Sequence, residues 1–223
     1  MKLRSALFAA LPVLSLQVTP AHAADWFELG RMKFYTGAEA GVYSGKADLG
    51  GRNTIGPFNN TGSDSAFSGF GGVNTGLDYD RYGLNASYRY YGTTGISVRN
   101  GGARNYKTDS GAQVLMLSAT YKFFVQDRWD IYAGPGVGFA FTDVKTNDGI
   151  VRGSATQTNV ALQGELGAHY KLDDRLTLTS GLRYVDMGKT SFRLRDSTNA
   201  AGGTFDNKLT TAEWFGGLQY SFD

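Results

Sequence analysis

An Asp-Arg pair recurs at Asp80-Arg81, Asp127-Arg128 and Asp174-Arg175, and positions 80, 127 and 174 are equally spaced, 47 apart. Each pair is flanked by segments in which hydrophobic residues alternate. The clearest is Ala161 to Gly188, where Leu162, Leu166, Tyr170, Leu172, Leu176, Leu178, Leu182 and Tyr184 share one face. Gln163, Glu165, His169, Lys171, Thr177, Thr179 and Arg183 share the other. A hydrophobic period near 2 is what a strand produces and a helix does not. One interval before Asp80 lies Lys33, where the first alternating segment begins, and one interval after Asp174 lies Ser221. The chain therefore reads as four hairpin units, an all-β up-and-down meander of eight strands.

The other strands follow from the same alternation. They are expected near Phe34 to Tyr43, Phe67 to Tyr79, Tyr82 to Tyr91, Gln113 to Phe124, Ile131 to Thr142 and Leu209 to Phe222. Stretches without periodicity, Ser44 to Ser65, Gly92 to Ser110, Asp143 to Ala155 and Lys189 to Asn207, read as long loops. Pro135 stands among Gly134, Gly136 and Gly138 in strand five, and since proline cannot donate to a ladder a bulge is expected there.

Residues Met1 to Ala23 have the order of a secretory signal peptide. Lys2 and Arg4 precede an apolar run, and Ala21-His22-Ala23 supplies small-x-small before a cut between Ala23 and Ala24. The barrel domain then covers residues 24–223. Without Lys2 and Arg4 the 22 basic residues drop to 20, equal to the 20 acidic ones, and nothing points to nucleic acid. The chain has no cysteine, and with His22 removed His169 is the remaining histidine. Disulfides, thiolate metal sites and histidine clusters are excluded, and no metal or cofactor is expected.

The stretches GLRYVDMG (Gly181 to Gly188), IYAGPGVGFAF (Ile131 to Phe141) and GGLQYSF (Gly216 to Phe222) resemble the eight-stranded outer-membrane β-barrel superfamily of Gram-negative bacteria, the opacity-protein, OmpX/Ail and OmpA-transmembrane group. The resemblance spans the mature chain. It implies an antiparallel transmembrane barrel with short periplasmic turns and four long outer loops, standing as a monomer in outer-membrane lipid and lipopolysaccharide. It also implies that Trp214, Leu218, Tyr220 and Phe222 form the aromatic-alternating signal read by the barrel assembly machinery.

A water-soluble barrel would turn the same faces the other way, yet the row opposite the hydrophobic one is rich in Gly and Thr and makes a poor solvent face. Aromatic residues gather beside the short turns, at Tyr79, Tyr82, Tyr121, Phe123, Tyr170, Tyr220 and Phe222, as an interfacial girdle requires. With the hydrophobic row in lipid, Glu39, Glu165 and Glu213 face inward with Arg89, Lys122, Lys171 and Arg183. Buried charges must pair, so an interior salt-bridge network is expected.

Three functions of different classes follow. The first is a non-enzymatic barrel with a structural and surface-interaction role, whose long loops contact a host or surface ligand that the sequence does not identify. The second is a small porin-like channel with gaps beside Gly134, Gly136 and Gly138, although eight strands enclose room only for their own side chains. The third is a lipid A-modifying enzyme built on His169, which lacks a serine beside it on its strand face. The loop carboxylates Asp109, Asp143 and Asp148 lack the spacing of a calcium motif, and Lys189, Arg193 and Arg195 are candidates to meet lipopolysaccharide phosphates.

Overall fold

The computed structural model describes residues 32–53, 62–99, 105–147, 151–196 and 201–222. Eight strands follow in chain order: β1 (Met32–Asn53), β2 (Gly62–Tyr79), β3 (Tyr82–Arg99), β4 (Asn105–Val125), β5 (Trp129–Asn147), β6 (Val151–Lys171), β7 (Leu176–Asp196) and β8 (Ala201–Phe222). Each pairs antiparallel with the next, and β1 pairs with β8 from Phe34–Phe222 to Asn53–Gly203, which closes the ring. The cleavage residues Ala23 and Ala24 and the segment 25–31 lie outside the described residues.

The Asp-Arg positions are the short turns. Asp80 takes φ 52°, a left-handed conformation that aspartate tolerates better than most residues. Asp173 accepts from the Arg175 and Leu176 amides at 2.8 and 2.6 Å, so a side chain closes the β6–β7 turn.

The faces fall as the alternation requires. Leu178, Leu182 and Trp214 are 47, 60 and 56% exposed, whereas Arg183 is 6% exposed. On β4, Leu115, Leu117, Tyr121 and Phe123 point out and Val114, Met116, Ser118 and Lys122 are buried. The outer face is a continuous hydrophobic belt, and the inner face fills the lumen.

Two features differ from the sequence reading. The strands have 18 to 22 residues, whereas about 9–11 tilted residues cross a bilayer. Most of the expected long loops is therefore paired strand, a tall crown above the hydrophobic belt. A sheet with polar residues on both faces keeps its ladder but loses its period, so the alternation ended before the strands did. Pro135 carries no bulge. It pairs with Gly164 in an unbroken β5–β6 register, and the β4–β5 ladder lapses for Ala119 and Thr120 opposite it. The bulge lies between Lys122 and Phe124, and it turns both Phe123 and Phe124 outward.

Candidate functional site

The lumen is filled by two layers. The lower one is ionic. Arg183, on β7, donates from Nη1 and Nη2 to the two oxygens of Glu39, on β1, both at 3.1 Å. Its Nε donates to Glu165 Oε2 at 3.2 Å, and its Nη1 lies 3.5 Å from Glu213 Oε2. The guanidinium also sits 4.2 Å from the ring centre of Phe215. Arg89, on β3, donates to Gln163 Oε1 and faces Glu39 and Glu213, each at 3.7 Å. The Tyr91 and Thr211 hydroxyls donate to Glu213 Oε1 at 2.7 and 2.6 Å. Residues from β1, β3, β6, β7 and β8 thus meet across the whole width of the barrel.

The structure does not gather all the expected network residues here. Lys122 is buried but forms its own pair with Asp78 at 2.6 Å, nearer the short turns. Lys171 is exposed at the last position of β6, where the strand has already left the lumen for the turn, and it does not join the ionic layer. Tyr91, Gln163 and Ser118 do join it, Gln163 by donating to Ser118 Oγ and Glu165 Oε2, both at 3.1 Å. Neutral residues of this kind sit at inward positions of the same alternation, and that was the only signal for them.

The upper layer is apolar, which the expectation of an interior salt-bridge network did not include. Tyr43, Phe70, Tyr91, Ala112, Val114, Met116, Ala140, Ala161, Val185, Met187 and Phe215 form one buried cluster. Tyr91 holds the layers together, stacking on Phe70 at 5.4 Å and meeting Tyr43 edge-on at 5.3 Å while its hydroxyl bonds Glu213. Among the described residues, a buried apolar cluster over a densely paired ionic layer fills the middle of the barrel with side chains.

The glycines of strand five do not open one. A Cβ on Gly134 or Gly138 would strike the carbonyl oxygen of Ala119 or Leu115 on β4, and one on Gly136 would come 2.6 Å from Ser118 Oγ. These glycines let β5 lie close against β4, and the gap that conduction would need beside them is filled.

At the short-turn end, His169 Nδ1 lies 2.6 Å from Asp130 Oδ1 and its ring stacks on Tyr132 at 4.4 Å. Asp130 was not singled out in the sequence because it follows Trp129 in what reads as a turn. Around this end the outward aromatics form a ring that includes Tyr82 on Tyr121 at 5.3 Å, Trp129 on Tyr170 at 4.6 Å and Tyr220 on Phe222 at 5.3 Å. Trp214, Leu218, Tyr220 and Phe222 lie on one outward row of β8.

Above the belt the crown carries ion pairs on its outer face. Lys189 bonds Asp206 at 2.9 Å, Lys208 bonds Asp186 at 2.8 Å, Lys46 meets Asp48 at 3.3 Å and Lys145 meets Asp143 at 3.7 Å. Hydrogen bonds from Ser191 and Lys189 hold the Asp206 carboxyl below the usual carboxylate range. Arg193 and Asp109 are exposed, and Asp148 lies outside the described residues. Among the described residues no group of three His, Asp or Glu is placed to hold a metal ion.

Residues 6–222 match the model of the family described as outer membrane protein beta-barrel domain. The outer membrane protein OprG from Pseudomonas aeruginosa has the same fold, with a TM-score of 0.60 at 17% identity over 86% of this chain and 95% of its own. A major outer membrane protein from Thermus thermophilus aligns with a TM-score of 0.56 at 15% identity over 86% of this chain and 99% of its own. No curated protein sequence matches the chain.

Proposed function

The chain belongs to the outer membrane protein β-barrel family, and from that premise we propose that it is a non-enzymatic surface barrel whose tall outer crown makes its contacts. The short turns face the periplasm and the crown faces outward, as is general for such barrels. The observation that carries the reading is the contrast between the two halves of the molecule. The lumen is sealed by a buried ionic layer and a buried apolar one, whereas the strands continue well beyond the belt. A sealed lumen argues against the channel reading, and surface segments on a rigid scaffold are where binding is usually placed. His169 is engaged by Asp130 and Tyr132, which supports a structural rather than a catalytic use.

In this reading the N-terminal segment to Ala23 directs export, the outward row of β8 serves assembly, and the barrel works as a monomer. Liposomes loaded with sugars of graded size test the sealed lumen, the expected result being no swelling above protein-free vesicles. The surface role is tested with cells that carry either the whole protein or one whose hairpins are trimmed to the belt, challenged with immobilised matrix proteins and host-cell monolayers. Adhesion should require the crown. Swelling at porin-like rates, or adhesion unchanged by trimming, would overturn the proposal.

A further inference from the structure

On the outer face, the antiparallel registers set one outward residue of each strand level with the next. Pro135 pairs with Gly164, Gly164 with Tyr184, Tyr184 with Ala212 and Ala212 with Ser44. All but Tyr184 are small, whereas the row beneath them carries Leu166, Leu182 and Trp214. A furrow of about 970 Å³ therefore runs across β5 to β8 and β1, at right angles to the strands. A Cβ on Gly164 would meet nothing within 4 Å, so the floor there is open.

The furrow is inclined, and its slope follows from the registers. A row traced from Thr179 of β7 through Gly217, Glu39, Gly72, Arg89, Val114 and Ala140 arrives on β6 at Asn159. Thr179 itself pairs with His169 on that strand, nearer the short turns. A row thus climbs in the direction β5, β6, β7, β8, β1, and the furrow rises from Pro135 to Ser44. Its height is set by β8. Phe222 belongs to the aromatic ring at the short-turn end, and Trp214 stands eight residues above it. At about 3.3 Å per residue and a tilt of about 40°, that is about 20 Å of an apolar band about 25 Å tall. One row above Trp214, the furrow lies among the acyl chains of the outer leaflet.

The upper end opens into a second recess of about 420 Å³, lined by Ser44, Lys46, Tyr184 and Thr210. Ser44, Tyr184 and Ala212 border both recesses, so the two are continuous. Lys46 lies 3.3 Å from Asp48 in an exposed pair, the kind that contributes little and gives way readily to another anion.

We propose that furrow and recess together seat one phosphorylated, acylated glycolipid of the outer leaflet. An acyl chain lies along Pro135, Gly164 and Ala212, the sugar meets the hydroxyls of Ser44 and Thr210, and a phosphate meets Lys46. Acyl chains are as apolar as leucine, so an apolar surface alone does not hold one lipid in preference to the next. A fixed lipid needs shape and a polar anchor, and both are present here with the anchor at the end that faces the head groups. A second barrel is convex at the same height and would bridge the furrow without filling it. The site lies in the belt, below the crown, and adds to the surface role a ligand of its own.

Native mass spectrometry of the folded chain in micelles tests the proposal, with bisphosphorylated lipid A, the same lipid A without phosphates, and phosphatidylglycerol as probes. One lipid A should bind above the level of random adducts. Gly164→Phe, which fills the furrow, should weaken it about tenfold through lost packing contacts. Lys46→Gln should weaken it about fivefold, the range of a single exposed charge contact. Removing the phosphates should cost the unmodified chain as much as Lys46→Gln does, and cost Lys46→Gln nothing more. Leu117→Phe, outward on β4, is the control and should bind as the unmodified chain does, and a heat-dependent mobility shift shows that each variant is folded. Equal binding by Gly164→Phe and the unmodified chain, phosphatidylglycerol held as tightly as lipid A, or paired barrels that separate on Gly164→Phe would each overturn the proposal. Adhesion through the crown is read separately, so any of these outcomes leaves the surface role standing.

Discussion

Arg183 and Glu39 meet fork to fork across the barrel, two parallel bonds of 3.1 Å between side chains 144 residues apart in sequence. Bidentate geometry of this kind combines charge with fixed orientation. Arg183 is also the cation shared by Glu165 and Glu213. Replacing it with methionine keeps volume and strands three buried carboxylates beside Arg89 alone. Breaking a buried pair from one side costs roughly 3–5 kcal/mol. The urea midpoint of Arg183→Met in micelles should fall accordingly, and adding Glu39→Gln should restore part of the loss. Equal midpoints for wild type and Arg183→Met would show that the ionic layer does not hold the barrel together.

Glycine positions separate close packing from open lumen. Gly138→Val would drive a side chain into the Leu115 carbonyl of β4, whereas Gly164, on the outer face, has no atom within 4 Å of the Cβ it would gain. Gly138→Val should lower the yield of heat-modifiable barrel sharply, and Gly164→Val should leave it near wild type. If Gly138→Val instead folds normally and changes ion flux, the glycine row lines a conduit after all.

The depth of the belt is readable from charge. Leu182 is an outward residue of the belt and Thr158 an outward residue of β6 above it. An arginine on the lipid face costs about 2–4 kcal/mol at the midplane and about 0–1 near the interface. Unfolding from lipid vesicles should therefore be much easier for Leu182→Arg than for Thr158→Arg. Equal penalties would place residues 154–160 inside the bilayer and shorten the crown.

What the sequence made legible follows the same boundary. Inside the belt, lipid on one side and packed lumen on the other enforce a period of 2, so Leu162, Leu182, Glu165 and Arg183 announce their faces. On the crown part of β6 both faces are polar or small, and Thr156, Gln157, Thr158 and Asn159 carry no alternation to read. The fold was therefore evident where the environment was asymmetric and hidden where it was not. The ionic layer was only partly visible, because inward charge marks a candidate but height along the barrel decides partners. Glu39 and Arg183 share a height, Lys122 sits lower with Asp78, and Lys171 lies past the rim. The apolar plug was missed because inward valine and methionine on β4 look like an imperfect polar face.

Phe222 allows assembly to be separated from stability. It is outward on β8, pairs with Phe34 of β1 and meets Tyr220 edge-on, and its ring contributes nothing to the lumen. Removing a half-exposed aromatic at the interface should cost only on the order of 1 kcal/mol in a folded barrel. If the row Trp214, Leu218, Tyr220 and Phe222 is read during insertion, Phe222→Ala should refold from urea into micelles almost as wild type does, while its level in cellular outer membranes drops several-fold. Leu178→Ala, also outward but on β7, is the matched control and should leave both measurements little changed. A comparable drop for the two substitutions in cells would mean that the β8 row is lipid-facing surface and carries no separate signal.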